Sequence, residues 1–529
     1  MKNSFGSFIT GKKGVKMYST ILSCSLLGME AHTVKVEADI SDGLPSFTMV
    51  GYLSSEVREA SERIRSALRN SKIPLPPKRI TVNLSPADLR KEGNLFDLPI
   101  ALSILAALNV IPSKCLQGYM AVGELSLSGE ILPVPGVLPV VMHSVQEKED
   151  AILLPAGNAK EGAVIQEASV IPVTTLEECI QYLKGEQKME ALRVNLFDLL
   201  AEGAGDRPDF SEVHGQKTAR RAVEIAAAAM HNLLLVGSPG AGKSMMAQRI
   251  PGILPELTLK ESIDITRIYS VAGKLEPHIP LITKRPFCAP HHTISVAGLA
   301  GGGKVPKPGM ISLAHKGVLF LDELPEFSRQ ALEVMRQPLE DKKVHIVRAN
   351  GSCVFPADFM LVAALNPCPC GYYPDASKCN CTPQEVHRYL GKISGPLLDR
   401  MDLCVQVTAP AFHELRQQTT EESSVEIRKR VIRAQKIQEE RYQEENFSFN
   451  SGLDNRTIEI YCNLQGAEEH LAQRIFEKLE LSARGYHRML KVARTIADLD
   501  GEKDIQAEHI REAVFFRVMD KKFWGGYGK

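Results

Sequence analysis

The sequence predicts a multidomain α/β protein, and three observations support this fold class. The chain has 529 residues, of which 44% are hydrophobic and 24% charged, as in average soluble globular proteins. Because domains usually span roughly 100–200 residues, this length predicts two to four of them. The middle of the chain alternates wholly apolar runs with helical segments, which is typical of a parallel sheet covered on both faces.

Charge, hydropathy and cysteine content exclude several classes of protein. The 63 Lys and Arg residues balance 63 Asp and Glu residues, so no global field attracts the chain to nucleic acid or anionic lipid. Contact with nucleic acid therefore requires a local patch, or several copies of the chain lining a channel. No apolar run of about eighteen residues occurs, which excludes a membrane-spanning helix. The eleven cysteines are odd in number and mostly scattered, so we expect a reducing, cytoplasmic location.

The first predicted domain covers residues 18–185 and follows an N-terminal extension, residues 1–17. Tyr18–Leu27 comes after three lysines and so imitates a secretion signal, but serines interrupt its apolar run and no small-residue cleavage site follows. We interpret it as an internal strand that leads into the alternating strand His32–Ile40. Helical spacing and apolar runs then predict a helix at 54–71, a strand at 79–84 and a buried helix at 98–108.

Two further domains follow a linker at 186–208, where Gly, Asp and Pro cluster. The second domain, 209–410, holds most of the apolar strands. The third domain, 411–529, is charged and helical. The elements predicted in these domains are a helix at 218–230, a strand at 232–236, a helix at 245–250, strands at 318–321 and 359–365, and helical segments at 425–440 and 467–498.

A nucleotide-binding loop is predicted at Gly237–Ser244, which fits G-x-x-x-x-G-K-[ST] between an apolar strand and a helix. Glycines let backbone N–H groups point at an anion at the positive end of that helix. Lys243 would reach the terminal phosphates, and the Ser244 hydroxyl would bind Mg²⁺. The predicted contacts are Gly237, Ser238, Pro239, Gly240, Ala241, Gly242, Lys243, Ser244 and Met245.

Residues at the ends of later strands complete a predicted site for nucleotide hydrolysis. Asp322 would bind Mg²⁺, and Glu323 would lie beside the attacking water. Asn366 ends the apolar strand 359–365, where its amide could orient water. Arg400 precedes another apolar strand and Arg484 begins a helix; a positioned arginine, often from a neighbouring subunit, stabilises charge on the transferring phosphoryl group.

Two other patterns carry binding chemistry. Two β-prone runs separated by Arg348–Gly351 predict a hairpin, which is either a DNA contact or simply an exposed polar hairpin. The Gly-rich segment 297–309, with Lys304 and Lys307, is a second candidate for a loop that lines a channel. The spacing C-x-C-x₈-C-x-C fits a structural Zn²⁺ site or four reduced thiols. The four cysteines are Cys368, Cys370, Cys379 and Cys381.

The histidine pair His291-His292 could suggest a metal ligand. We interpret it as a loop or core pair.

The order of motifs resembles ring-forming AAA+ ATPases of the clade that contains magnesium-chelatase ATPase subunits and MCM helicases. More closely, nearly the whole chain resembles the YifB/ComM family of magnesium-chelatase-like proteins. The segments that carry this resemblance are Asp209–Gln216, Pro290–Ser295, Pro308–His315, Leu365–Gly371 and Gly395–Arg400.

The resemblance implies roles for these residues. Asn366 would be sensor 1, Arg400 an arginine finger acting in trans, and Arg484 sensor 2 in an α-helical lid. It also implies an ATP- and Mg²⁺-dependent homohexamer that moves on DNA, a branch-migration helicase that extends homologous recombination during natural transformation and works with recombination proteins. The residues implied to lie on the adenine side are Val213, Gly215 and Gln216, and those implied to contact DNA are Arg348, Lys343 and His345.

Over the segments Lys91–Asp97 and Val122–Gly136, the N-terminal domain resembles the Lon protease fold of the ribosomal S5 domain 2-like type. A Lon-type protease needs a serine nucleophile and a lysine base. The resemblance places Leu95 and Leu138 at those positions, so we expect a non-catalytic platform.

Three alternatives to a DNA motor stay open at this point. A chelatase-type ATPase would remodel a porphyrin, and a Lon-like protease would require a different alignment of the two leucines. A DNA-binding scaffold that uses ATP only to assemble would leave Glu323 idle.

Overall fold

The computed structural model describes residues 17–202, 208–348, 351–409 and 421–524. Apart from Met17, the predicted N-terminal extension lies outside the described residues, and so do five residues of the predicted linker. The predicted domain boundaries at 185, 208 and 410 stay predictions.

The chain divides into two compact units. The first comprises the residues up to Leu196 together with Tyr269–Leu281, and the second comprises Phe197–Ile268 together with the chain from Ile282 onward. Within the first unit, the Ser270 carbonyl accepts a hydrogen bond from the Gly136 amide (3.0 Å), and the Ser270 hydroxyl donates to Glu161. The first unit is therefore completed by a segment that comes late in the sequence.

Between Met17 and Leu183, the described part of the first unit forms nine strands and five α-helices. The strands are β1 (Tyr18–Leu27), β2 (Glu30–Ser41), β3 (Ser46–Val50), β4 (Arg79–Ser85), β5 (Tyr119–Ala121), β6 (Glu124–Leu125), β7 (Ile131–Leu132), β8 (Ala151–Pro155) and β9 (Val170–Val173). The helices are α1 (Ser55–Asn70), α2 (Asp97–Ala107), α3 (Val137–Gln146), α4 (Ala156–Gly162) and α5 (Leu176–Leu183).

Seven of these strands form one mixed sheet in the order β3-β4-β2-β1-β5-β8-β9. The β1–β2 and β2–β4 pairs are antiparallel, and the other neighbours are parallel. Helix α2 is buried along its whole length, as its apolar sequence predicts. Helix α1 buries one face, because its apolar residues recur at helical spacing: Val57, Ala60, Ile64, Ala67 and Leu68.

The chain from residue 196 onward supplies the remaining elements. The strands are β10 (Leu233–Gly237), β11 (Phe287–Cys288), β12 (Gly301–Gly302), β13 (Lys307–Pro308), β14 (Val318–Leu321), β15 (Lys343–Arg348), β16 (Gly351–Pro356), β17 (Met360–Leu365) and β18 (Leu403–Val407). The helices are α6 (Leu196–Glu202), α7 (Lys217–Ala229), α8 (Lys243–Ile253), α9 (Leu259–Ala272), α10 (Val296–Ala300), α11 (Met310–Leu313), α12 (Arg329–Val334), α13 (Arg336–Asp341), α14 (Pro383–Leu390), α15 (Gly395–Leu398), α16 (Ser424–Arg441), α17 (Asn455–Tyr461), α18 (Ala467–Lys478), α19 (Ala483–Asp500) and α20 (Ala507–Trp524).

The second unit is organised around a five-stranded parallel sheet in the order β11-β14-β17-β10-β18. Strands β10, β14 and β17 are buried at every residue, which explains their unbroken apolar sequences. Their carboxyl ends lie at the same edge of the sheet, so the residues that follow them can meet there.

The helical segment predicted at 467–498 consists of two helices, α18 and α19. Glu480 between them has a φ of +43°, and the Ser482 hydroxyl accepts a hydrogen bond from the Gly485 amide (3.1 Å). This is an N-cap, so a new helix starts there although the helical spacing of apolar residues continues. In the described part of the chain, no helix has the length and apolarity needed to cross a membrane.

Candidate functional site

The predicted nucleotide-binding loop joins the end of β10 to the start of α8. Gly240 has a φ of +75° and Gly242 a φ of +89°, and glycine tolerates this region without steric cost. The turn therefore opens directly onto the N-terminus of α8, where free backbone N–H groups attract phosphate.

Lys243 lies at the centre of this site. Its Nζ donates to the carbonyls of Gly237 (2.7 Å) and Ser238 (2.9 Å) and to Asn366 Oδ1 (3.0 Å). Asn366 comes from the end of β17, which pairs with β10. Burial lowers the pKa of Lys243, and a bound polyphosphate would favour its charged form.

Ser244 and Asp322 bring a hydroxyl and a carboxylate together beside Lys243. The Ser244 hydroxyl donates to Asp322 Oδ2 (2.6 Å), and Asp322 Oδ1 accepts from the Glu323 amide (2.9 Å). A hydroxyl beside a carboxylate suits Mg²⁺, which prefers a few protein oxygens together with phosphate oxygens. His292, which we interpreted as part of a loop or core pair, has its Nδ1 3.4 Å from Glu323 Oε2, a contact that no sequence signal indicates.

Of the three residues predicted on the adenine side, Gln216 contacts the predicted nucleotide-binding loop Gly237–Ser244 (the phosphate loop). Gln216 Nε2 donates to the Ala241 carbonyl (3.3 Å), and the Gly215 amide donates to Glu421 Oε1 (2.9 Å). Arg220 Nη1 also donates to Glu421. Neither Arg220 nor Glu421 stands in a recognisable motif, because about 200 residues separate them.

Arg400 and Arg484 lie near each other in the second unit, away from the phosphate loop. Both line a cavity of about 660 Å³, and within the described residues neither guanidinium is hydrogen-bonded to the phosphate loop. Arg400 pairs with Glu340, and Arg484 is exposed at the start of α19.

The turn that carries Arg400 is held by Arg488, a buried residue of α19. Arg488 donates to Asp399 (2.9 Å) and to the Met401 carbonyl (3.0 Å). Sequence reasoning overlooked Arg488, because an arginine inside a helix gives no signal of a distant partner.

The predicted hairpin is strands β15 and β16. Lys343 and His345 are exposed on one face with Val347, while the alternate residues are buried on the other. Arg348 is exposed at the end of β15. A Cβ placed on Gly302 would lie 3.1 Å from Arg348 Nη2, so the Gly-rich segment 297–309 adjoins the hairpin.

The four clustered cysteines come together after β17. Their Sγ atoms all lie within 4.8 Å of one another. The distances from Cys368 Sγ to the sulfurs of Cys370 and Cys379 are 3.3 and 3.8 Å, and those two sulfurs are 3.6 Å apart. Tetrahedral Zn²⁺ with Zn–S bonds near 2.3 Å separates its ligands by about 3.8 Å, so this cluster has the size of a zinc site.

The first unit places Leu95 and Leu138 in its interior, 6% and 0% exposed. Their aliphatic side chains offer neither a nucleophile nor a base.

Comparison with protein families and known proteins adds to this geometry. Models of magnesium chelatase, subunit ChlI, match residues 209–415, and the models of subunit ChlI of Mg-chelatase and of the ChlI C-terminal part match residues 36–158 and 421–517. The 67 kDa magnesium-chelatase subunit of Chlorobaculum parvum is 29% identical over 163 residues, or 30% of this chain and 23% of that protein.

Two relatives match almost end to end. The competence protein ComM of Haemophilus influenzae is 42% identical over 503 residues, which cover 94% of this chain and 97% of ComM. YifB of Escherichia coli is 39% identical over 504 residues, which cover 95% and 97%. Because both similarities extend across the described site and nearly the whole sequence, this chain belongs to the YifB/ComM family of magnesium-chelatase-like AAA+ ATPases.

Proposed function

We propose that this protein is an ATP-hydrolysing motor that assembles as a homohexamer and moves on single-stranded or branched DNA. Its role would be that of a helicase or branch-migration factor in homologous recombination. The observation that carries the proposal is the separation of two sets of groups. Lys243, Asp322 and Asn366 meet at the phosphate loop, whereas Arg400 and Arg484 share a cavity elsewhere in the unit.

Each residue of the phosphate site has a task in hydrolysis. Lys243 exchanges its present carbonyl and amide acceptors for the oxygens of the terminal phosphates. Ser244 and Asp322 would hold Mg²⁺, which neutralises phosphate charge when bound. Glu323 orients the attacking water and accepts its proton. Asn366 keeps a polar contact beside the terminal phosphate.

The cavity lined by Arg400 and Arg484 supplies an arginine to the active site of the neighbouring subunit. Charge that develops on the transferring phosphoryl group needs a positioned cation, and Arg400 serves this purpose when a neighbour's phosphate loop faces the cavity. Every active site is then shared between two copies of the chain, which accounts for a closed ring.

DNA contact is assigned to the hairpin. Arg348, Lys343 and His345 present donors at an exposed surface. The Gly-rich segment 297–309, which carries Lys304 and Lys307, adjoins the hairpin at Gly302. Six copies around a channel concentrate positive charge although the chain has no net charge, and binding would weaken with salt. The competence name of the Haemophilus relative supports a role in natural transformation, with recombination proteins as partners.

We also propose a structural Zn²⁺ at the cysteine cluster. The Gly371 and Tyr373 amides donate to Cys368 Sγ at 3.2 and 3.4 Å, contacts that stabilise a thiolate ligand. A Cβ on Gly371 would lie 2.8 Å from Pro239 Cγ, so the zinc loop packs on the phosphate loop. Zinc therefore stiffens the nucleotide site and takes no part in the reaction.

For the first unit we propose a Lon-like fold without protease activity, on account of Leu95 and Leu138. A second candidate function for the whole chain, porphyrin remodelling, is favoured by the similarity to the Chlorobaculum subunit. It predicts an ATPase that is indifferent to DNA.

The ATPase rate with and without single-stranded and four-way-junction DNA tests the proposal. Wild-type turnover rises with DNA, Lys243→Ala abolishes turnover, and Arg348→Ala loses the stimulation. Lys436→Ala removes a cation from the exposed face of α16 and retains the stimulation. Turnover that DNA leaves unchanged contradicts the motor and supports the remodelling ATPase.

A mixing experiment tests the shared site. Lys243→Ala and Arg400→Ala subunits are each inactive alone. Mixed together, they form some interfaces in which an intact Lys243 faces an intact Arg400, so part of the activity returns. Absence of any recovery in mixed assemblies argues against an arginine supplied in trans.

A further inference from the structure

Arg400 is held within its own subunit by a carboxylate that the hydrolysis mechanism does not use. Its Nη2 donates to Glu340, and its Nη1 donates to the Pro396 carbonyl (2.5 Å). Among the described residues, the buried Nε of Arg400 finds no acceptor. A buried donor without a partner is unfavourable, so this guanidinium favours a ligand with more acceptor oxygens than one carboxylate provides.

The two partners differ in exposure. The Arg400 side chain is 12% exposed, and the Glu340 side chain is 58% exposed. Ion pairs with an exposed carboxylate contribute little to stability, so this pair exchanges easily for a phosphate group, which carries more charge and accepts bidentate hydrogen bonds from arginine.

Glu340 is also joined to the hairpin. It lies in the last turn of α13, and the chain enters β15 directly after Lys342, which has a φ of +55°. The Lys342 amide donates to the Pro338 carbonyl of α13 (3.0 Å), and the Lys342 carbonyl accepts from the Ala357 amide beyond β16 (2.8 Å). The end of α13 and both strands of the hairpin are thus fastened at one residue.

We propose that Glu340 is a latch that retains Arg400 in its own subunit until a ligand on the hairpin shifts α13. This inference rests on the proposed function, since it needs Arg400 to act on a neighbour's nucleotide. DNA bound at Arg348 displaces the base of the hairpin and moves Glu340 away, and Arg400 passes to the phosphate. The hairpin and the arginine are then linked by a coupling free energy between two sites of one subunit.

The same contact could instead be a static anchor for the turn at Arg400, and the two roles predict opposite changes. If Glu340 restrains Arg400, the loss of its charge raises turnover in the absence of DNA. If Glu340 only orients the turn, the same loss lowers turnover.

The test compares Glu340→Gln with Asp341→Asn in the full-length protein. Asp341 is the next residue of α13, and its carboxylate accepts from Gln337 (3.0 Å), so both variants remove one negative charge from the same turn. Glu340→Gln raises the DNA-free ATPase rate about fivefold or more and reduces the further stimulation by DNA. Asp341→Asn retains the wild-type rate and stimulation.

Testing Glu340→Gln in the Arg400→Ala variant separates the restraint of Arg400 from other effects of the substitution. In Arg400→Ala subunits, Glu340→Gln produces no gain, because the residue that it releases is gone. An unchanged or lower DNA-free rate in Glu340→Gln overturns the latch, and so does a gain that persists without Arg400.

If DNA does not stimulate the wild-type ATPase rate but Glu340→Gln still raises the DNA-free rate, the proposed action on DNA is contradicted. The proposal that Glu340 restrains Arg400 is then supported on its own. Thermal unfolding of each variant verifies that an altered rate belongs to folded protein.

Discussion

Glu323 has an unusual backbone conformation at the end of β14. Its φ of +52° lies in the left-handed region, which few non-glycine residues occupy. The conformation turns the chain immediately after Asp322, so that the two consecutive carboxylates contact different partners. One faces Ser244, and the other lies beside His292.

Replacing Glu323 tests its assignment as the base. We expect Glu323→Gln to lower kcat about 100-fold or more and to leave nucleotide affinity close to wild type, because Lys243 and the phosphate loop are untouched. Steady-state ATPase assays and titration with a fluorescent ATP analogue measure the two quantities. Glu326→Gln serves as the control, because Glu326 is an exposed carboxylate that pairs with Lys392 (3.3 Å). Full turnover in Glu323→Gln would contradict its assignment as the base. A variant that loses hydrolysis but keeps its function on DNA would favour a scaffold that uses ATP only to assemble.

His315 makes the stability of the second unit depend on pH. The residue is 7% exposed, and its Nδ1 accepts a hydrogen bond from the Asp358 amide (3.1 Å). Burial lowers the pKa of His315 from 6.5 to about 4. Between these values the unfolded chain binds a proton that the folded chain does not, so stability falls as the pH decreases from about 6.5 toward 4.

We therefore expect the free energy of unfolding to decrease by about 2 kcal/mol from this group between pH 7 and pH 5. His315→Gln keeps an acceptor for the Asp358 amide and cannot titrate, so that share of the pH dependence disappears. Denaturant unfolding at several pH values measures it. Equal pH dependence in the variant and the wild type contradicts the assignment.

Among the elements, the loop after β17 carries the cysteine cluster and rests on the phosphate loop. If it binds Zn²⁺, a reduced sample contains about one zinc per chain. Removal of the metal with a chelator then lowers the thermal unfolding temperature and weakens nucleotide binding, because Gly371 no longer supports Pro239.

Metal analysis and nucleotide titration of Cys379→Ser measure this effect. Cys115→Ser, which changes a half-buried cysteine of the first unit, should leave both unchanged. Purified wild-type protein without zinc, but with full nucleotide affinity, would contradict a zinc site.

The sequence predicts an element well where the residues of that segment themselves determine its structure. The strands before Lys243 and Asp322 are predictable because burial on both faces demands unbroken apolar runs, and the motif follows each strand directly. The division at Glu480 is not predictable from spacing, because apolar residues continue in helical register through it. The pairs Glu340–Arg400 and Arg488–Asp399 join distant segments, and surface charges carry no local signal of their partners.

At the scale of the whole molecule, the two units have separate hydrophobic cores. We expect two transitions in calorimetry, because domains with their own cores tend to unfold as units. Ile104→Ala, in the wholly buried helix α2, lowers the free energy of unfolding of the first unit by about 2–5 kcal/mol and lowers the midpoint temperature of one transition. A non-hydrolysable ATP analogue raises the midpoint temperature of the other transition.

Leu127→Ala is a control for the first unit, since Leu127 is 57% exposed; it should shift neither transition. A single transition that moves as a whole with both Ile104→Ala and nucleotide contradicts separate unfolding.

The composition of the first unit also has a consequence for synthesis on the ribosome. Translation proceeds from the N-terminus, and Tyr269–Leu281 emerges after the phosphate loop Gly237–Ser244 has already been made. The first unit therefore cannot acquire its last hydrogen bonds, those of Ser270 with Gly136 and Glu161, until much of the second unit's sequence has left the exit tunnel. A nascent chain arrested near residue 200 holds an incomplete first unit, and that unit is completed only after the ribosome has translated past Gly237–Ser244.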